Sequence, residues 1–248
     1  LIDGRRRVAI ASRDRLGIKP LYVQTGEGWV GFASEVKQLL RVRPRQQPDR
    51  EVVQTYLATG YEEQTRTFFE GVSPIPPGTW VAFDLETGRR VETEPYWHPE
   101  RIEPVIVDPA EAARAFAAAL RLSVKQHLRS DVAVGCALSG GLDSSAVAVL
   151  VRELGPKELK TFTVTFPGSE YDERSWVERV VPVARAEPHF VTPSAEGFLE
   201  DLDRFVWIHD EPVGTLSQYA GELDALRHYR IIGHRREIER VVALARHA

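Results

Sequence analysis

The chain has 248 residues and a formal net charge of −4, with 43% apolar and 27% charged residues. That balance supplies a core and a hydrated surface for one large domain or two small ones, and the mild acidity gives no electrostatic reason to expect nucleic acid or an anionic membrane as partner. No apolar run reaches bilayer-spanning length, no secretory leader is visible, and the single cysteine, Cys136, excludes an internal disulfide and fits a reducing cytoplasm.

The chain opens at Leu1 and contains no methionine, which suggests a fragment. Its first part reads as β-rich: Val8–Ser12, Pro20–Gln24 and Gly28–Ala33 are short apolar runs punctuated by glycine and proline. Ser34 then precedes Glu35, Val36, Leu39 and Leu40 as the N-cap of a short helix, and Asp49 caps a second one over Arg50–Ala58. Trp80–Leu85 and Arg89–Trp97 bracket Glu86-Thr87-Gly88 as a hairpin. From His98 to Pro109 the chain is rich in proline and charge, and a domain boundary is placed there.

Beyond the boundary, Ala113, Phe116, Ala117, Leu120, Val124 and Leu128 recur at helical spacing over Ala110–Arg129. The elements then alternate: strand Val132–Leu138, helix Asp143–Leu154, strand Leu159–Phe166, helix Asp172–Arg185 and short strand Pro188–Val191. Such alternation predicts a parallel sheet with helices on both faces. Pro182 should kink its helix or end it early, and Asp172-Glu173 should cap it.

The stretch Ser139-Gly140-Gly141-Leu142-Asp143-Ser144-Ser145 lies between an apolar strand and an apolar helix. Strand, glycine-rich turn and helix N-terminus together make an anion site, because free backbone N–H groups and the positive end of the helix dipole point the same way. Gly140 and Gly141 let the backbone approach a phosphate closely, and the hydroxyls of Ser139, Ser144 and Ser145 can donate to its oxygens. Asp143 would repel a bare phosphate, so its presence points to a Mg²⁺ bridging carboxylate and phosphates. A turn that only caps a helix is the simpler reading, but the full combination behind a buried strand argues against it. No lysine follows the glycines, so this is not a Walker loop, nor is it the dinucleotide Gly-x-Gly-x-x-Gly pattern.

The loop resembles the SGGxDS signature of the PP-loop ATP pyrophosphatases. Arg13-Asp14-Arg15-Leu16-Gly17-Ile18-Lys19-Pro20-Leu21-Tyr22 and Phe32-Ala33-Ser34-Glu35-Val36-Lys37-Gln38-Leu39-Leu40 resemble the RDxxGxxPLY and FASExKxLL blocks of glutamine-hydrolysing asparagine synthetases. Pro76-Pro77-Gly78, Pro95-Tyr96-Trp97, Ser130-Asp131-Val132, Phe162-Thr163-Val164, Trp207 and His209-Asp210-Glu211-Pro212 follow in that family's order. The resemblance implies a fold in two parts. Residues 1–97 would be the C-terminal portion of an α+β, Ntn-type glutaminase domain, and 98–109 a linker. Residues 110–220 would be part of an α/β PP-loop domain of the adenine nucleotide α-hydrolase kind, followed by a divergent basic helical tail over 221–248.

The implied parent activity is ATP-dependent amidation of aspartate. Ammonia released from glutamine would attack a β-aspartyl-adenylate, giving asparagine, AMP and pyrophosphate in the cytoplasm, and the parent could be a homodimer. By the same resemblance ATP would be held by Leu138, Ser139, Gly140, Gly141, Asp143, Ser144 and Val164. Leu138 and Val164 would lie against adenosine and adenine, and Asp143 on Mg²⁺. Aspartate and ammonia are the implied substrates; neither nucleic acid nor a membrane is an implied partner.

Two departures limit the reading. The family's glutaminase nucleophile is an N-terminal cysteine, whereas Cys136 sits inside a strand, so glutamine hydrolysis is not expected of this chain. The family's later SGxGGDE loop has no counterpart, since residues 221–248 hold no Ser-Gly pair. No catalytic residue is assigned. Asp14 and Lys19 are read as structural, and the seven histidines show no zinc spacing. A non-catalytic ATP-binding remnant, or a sister amidotransferase or β-lactam-synthetase-like enzyme with another acid, remains a different reading of the same residues.

Overall fold

The computed structural model describes residues 1–42, 46–61, 63–155, 157–214, 217–221 and 223. The chain is an α/β protein that divides into two compact units. One is Leu1–Pro104 together with His209–Gly214; the other is Val105–Ile208 together with the described residues after 214. The basic helical tail read over 221–248 lies outside the described residues, apart from Gly221 and Leu223.

The first unit contains β1 (Ile2–Asp3), β2 (Val8–Ser12), β3 (Tyr22–Gly26), β4 (Trp29–Ala33), α1 (Val36–Val42), α2 (Arg50–Thr59), β5 (Val72–Pro74), β6 (Thr79–Asp84) and β7 (Arg90–Pro95). The strands form two antiparallel sheets, in the orders β1-β2-β6-β7 and β4-β3-β5. Alternation along β3 explains the layering. Val23 points into a core with Ile75, Val81 and Phe83 from the other side, where Phe32 meets Phe83 edge to face at 5.4 Å. Tyr22 packs on the opposite face with Val36 and Leu39 of α1. β3 begins two residues later than the sequence suggested, because Pro20 has no N–H to donate to a ladder. β1 and β5 carry too few residues to show a periodicity.

Local chemistry fixes the ends of these elements. The Asp49 carboxylate caps α2 by accepting the Val52 N–H at 3.3 Å. The Arg66 fork grips the same carboxylate, with Nη2 at 2.6 Å from Oδ1, and holds Asp49 below its ordinary pKa. α2 stops at Gly60, which takes the left-handed conformation at φ 73°. In the β6–β7 turn Gly88, at φ 72°, lies against the carbonyl oxygens of Gly26 and Trp29.

The distant segment His209–Gly214 completes this unit. Asp210 accepts the Lys37 backbone N–H at 3.2 Å and pairs with the Lys37 ammonium at 2.9 Å, and Glu211 accepts the Phe68 N–H at 2.7 Å.

The second unit contains α3 (Pro109–His127), β8 (Gly135–Ala137), α4 (Leu142–Leu154), β9 (Leu159–Val164), α5 (Arg174–Ala184), β10 (Ala186–Val191) and α6 (Ala195–His209), whose last residue passes into the first unit. β8, β9 and β10 form a parallel sheet in the order β10-β9-β8. Cys136, Leu138, Ala186 and Phe190 pack on one side with Ala148 of α4 and Val177 and Ala184 of α5. Leu159, in register with Ala186, joins Val124 of α3 and Val151 of α4 on that side. On the other side Phe162 stacks on His189 at 5.3 Å.

Three expectations change here. The strand read over Val132–Leu138 is only Gly135–Ala137. Among the described residues β8 has one ladder partner, and the Ser130 hydroxyl accepts the Val132 N–H at 3.2 Å, a local bond that competes with extension. On α3 only the C-terminal half of the apolar stripe is packed, around Leu120, Val124 and Leu128, while Phe116 is exposed. α5 runs through Pro182, which sits in its last turn where only one bond is lost, and ends at Arg185 in the left-handed conformation. Glu173 occupies its N-cap position without a side-chain bond, and Asp172 accepts the Arg174 N–H at 3.3 Å. No helix among the described residues is long and apolar enough to cross a membrane.

Candidate functional site

The carboxyl ends of β8 and β9 lie side by side in the parallel sheet, and the loop from Leu138 to Gly141 leaves from the first of them. Leu138 is 2% exposed and anchors the loop from below. Its N–H donates to Phe162 O at 2.9 Å, and its carbonyl accepts the Thr163 hydroxyl at 2.6 Å. Val164, the last residue of β9, stands half-buried beside the loop's root. This places Leu138 and Val164 at adjacent strand ends, where open α/β sheets bind ligands.

Gly140 makes the turn. Its φ of 77° disfavours any side chain, and a Cβ there would come within 2.5 Å of Trp176 Cβ and 2.8 Å of Val177 N on α5. Gly141 is different: its φ is −69°, and a Cβ would meet only Ser139 Oγ, at 3.4 Å. Gly141 occupies the N-cap of α4 without a side-chain cap, and the first intrahelical acceptor bond, Ser145 N–H to Gly141 O at 3.0 Å, leaves the preceding N–H groups of the first turn without helical partners. Those donors and the helix dipole address the space above the loop.

The hydroxyls are pre-positioned. Ser139 Oγ and Ser144 Oγ are 2.9 Å apart, Ser144 Oγ accepts the Ser139 N–H at 3.2 Å, and Ser139 Oγ accepts the Gly141 N–H at 3.3 Å. Ser145, also considered from the sequence, does not join them. Its Oγ is buried without a hydrogen-bond partner, and the residue lines a groove with Leu142, Ala146, Val149, Val180 and Val183.

Asp143 is exposed on the first turn of α4. No group of three or more His, Cys, Asp or Glu side chains capable of holding a metal occurs among the described residues. A protein-only cation cage is therefore not built at Asp143. One accessible carboxylate beside free N–H groups does suit Mg²⁺, which commonly takes one or two carboxylates and completes its shell with phosphates and water.

Two contributors escaped the sequence reading, Thr163 and Trp176, because both reach the loop from neighbouring elements. Thr161 and Thr163 of β9 and Thr165 just beyond it, all buried, alternate along the chain, and that polar period-two stripe in a buried segment was the available signal.

Cys136 is half-buried in β8 between both apolar clusters, and burial pushes its thiol pKa up. Less thiolate is then present at neutral pH, and the thiolate is the reactive form. Thiol titration of the native chain with a disulfide reagent at pH 7.5 should run at least ten-fold slower than in denaturant; equal rates would remove the structural assignment. In the first unit Asp14 accepts the N–H groups of Leu16, Ile18 and Lys19, and the Lys19 bond contributes most to holding it below its ordinary pKa. Arg13 closes the same loop on Lys19 O, Ile75 O and Gly17 O. Asp14 is thus structural, whereas Lys19 acts there through its backbone.

Residues 1–97 match the family model described as glutamine amidotransferase domain, and residues 115–223 match that of asparagine synthase. The chain is 31% identical over 223 residues to a putative asparagine synthetase [glutamine-hydrolyzing] 2 of Methanocaldococcus jannaschii, covering 88% of this chain and 43% of that protein. It is 31% identical over 206 residues to asparagine synthetase [glutamine-hydrolyzing] 1 of Bacillus subtilis, covering 83% and 32%. It is also 31% identical over 234 residues to amidase chyE of Penicillium rubens, covering 88% and 34%. The chain thus spans less than half the length of these relatives. With both family models matched in order along it, the chain belongs to the glutamine-hydrolysing asparagine synthetase family.

Proposed function

We propose that Leu138–Ser145 holds the pyrophosphate end of MgATP, as part of a synthetase that activates a carboxylic acid for attack by ammonia. The observation that carries this reading is the open first turn of α4 behind Gly140 and Gly141 at the end of a parallel strand. In the proposal the free N–H groups and the Ser139 and Ser144 hydroxyls bind phosphate oxygens, Asp143 orients the cation, and Leu138 and Val164 bracket the nucleoside. Mg²⁺, when bound, would neutralise charge on the departing pyrophosphate. Residues 1–97 are assigned to the glutaminase portion, 98–109 to a linker, 110–220 to the PP-loop portion and 221–248 to a divergent tail. No catalytic residue is assigned within the chain.

For the whole enzyme the proposed acid is aspartate. Its side-chain carboxylate would take the adenylyl group from ATP with loss of pyrophosphate, and ammonia would then displace AMP to leave asparagine. Adenylation supplies the leaving group, so the loop's task is to hold charge and orientation. The relatives named amidase chyE and amidase chry2 favour a second reading in which a different acid is amidated. Exchange of labelled pyrophosphate into ATP by the full-length protein separates the two: dependence on aspartate supports the first, and dependence on another acid alone moves it to the second.

The loop itself is tested by calorimetry with MgATP. Asp143→Ala should weaken binding about ten-fold, a difference of about 1.4 kcal/mol. Identical affinities in chain and variant would take the cation role away from Asp143.

A further inference from the structure

We infer that His209–Gly214 is a strap, a segment of the C-terminal part of the chain that stays bound to the rest of the first unit through non-covalent contacts after the 98–109 linker is cut. The chain belongs to the second unit up to Ile208, enters the first for six residues, and leaves it again after Gly214.

The strap's grip is specific. The Asp210 side chain is 8% exposed and that of Lys37 16%, so the ammonium and carboxylate, 2.9 Å apart, form a pair largely withdrawn from water. Lys37 also reaches Glu35 at 3.2 Å. The other Asp210 oxygen accepts the Lys37 backbone N–H in the first turn of α1, and Glu211 Oε1 accepts the Phe68 N–H before β5. Asp210 itself sits at φ 64°, a left-handed conformation that non-glycine residues adopt at a cost. A strained residue whose two carboxylate oxygens are both engaged by Lys37 is held there by its surroundings. By contrast, Ile102, Val105 and Ile106 of the linker are exposed.

The test inserts a site-specific protease sequence between Ile102 and Val107 of the full chain. After cleavage, the two pieces should co-elute on gel filtration, and the Lys37 and Phe68 amides should keep their protection from hydrogen exchange. In Asp210→Asn/Glu211→Gln, the separated fraction should rise at least ten-fold. Pieces that part in the unsubstituted chain overturn the strap, as do Lys37 and Phe68 amides that exchange freely after cleavage. Equal retention in the variant also overturns it. The exchange measurement needs no variant, so it decides even if the substitutions impair folding. The inference stands apart from the nucleotide reading, because MgATP binding by the uncut chain reports on that reading alone.

Discussion

Replacing Gly140 with alanine should lower the melting temperature of the chain by on the order of 10 °C and abolish MgATP binding. The left-handed φ alone costs a non-glycine residue about 1–2 kcal/mol. The added Cβ would also overlap Trp176 Cβ at 2.5 Å and the backbone of Trp176 and Val177 within 2.8 Å. None of these is the free end of a flexible side chain, so α5 must move, and overpacking of this kind typically adds about 1–3 kcal/mol. The sum is about 2–5 kcal/mol, at about 4–8 °C per kcal/mol for a unit of this size. Gly141→Ala is the control: its φ is ordinary and its Cβ has room, so its melt should stay within a few degrees of the parent. Circular dichroism melts of both variants decide it. Equal melts would show that the loop is not wedged against α5.

A loss of similar size is expected from Gly88→Ala in the first unit. There the Cβ would fall 2.2 Å from Trp29 O and 2.6 Å from Gly26 O, both backbone atoms of the β3–β4 hairpin. The two hairpin turns would have to part, and each belongs to a different sheet. Gly60→Ala separates the two causes of damage. Gly60 has the same left-handed φ, 73°, but nothing lies within 4 Å of its would-be Cβ. It should therefore cost only the conformational term of about 1–2 kcal/mol, and Gly88→Ala about 3 kcal/mol or more once the collision is added. Denaturant titration of the two variants measures the gap. No gap would mean that the turns do not press on each other.

The glycine turn between β8 and α4 was legible in the sequence because its signals are local: an apolar run, two glycines, then a helix-forming stretch. The parallel sheet was legible for a related reason, as strand and helix alternate at the spacing such sheets impose. What the sequence hid is what depends on neighbours. β8 shrank to three residues because, among the described residues, one side of it is paired, and pairing is a property of the sheet rather than of the strand. Thr163 and Trp176 join the site from β9 and α5, and nothing in Ser139–Ser145 calls for them. Phe116 kept its place in a helical stripe yet remained uncovered, because periodicity says which face is apolar and not how far the partner helix extends. His209–Pro212 carried a signal only as part of a resemblance; that Asp210 accepts a first-turn N–H of a helix 173 positions earlier could not be read from spacing.

That separation bears on the order in which the protein comes into being. A ribosome releases the residues of β1 to β7 long before it releases Asp210, so the first unit emerges with Lys37 lacking that carboxylate and the Phe68 amide lacking Glu211. Domains usually fold in turn as they leave the ribosome. Here the earlier one reaches its final set of bonds only after β8 to β10 and α6 have been synthesised. The closing of a loop that long adds its own entropic cost. The nascent first unit is consequently an unfinished body for most of translation, and its maturation waits on the second.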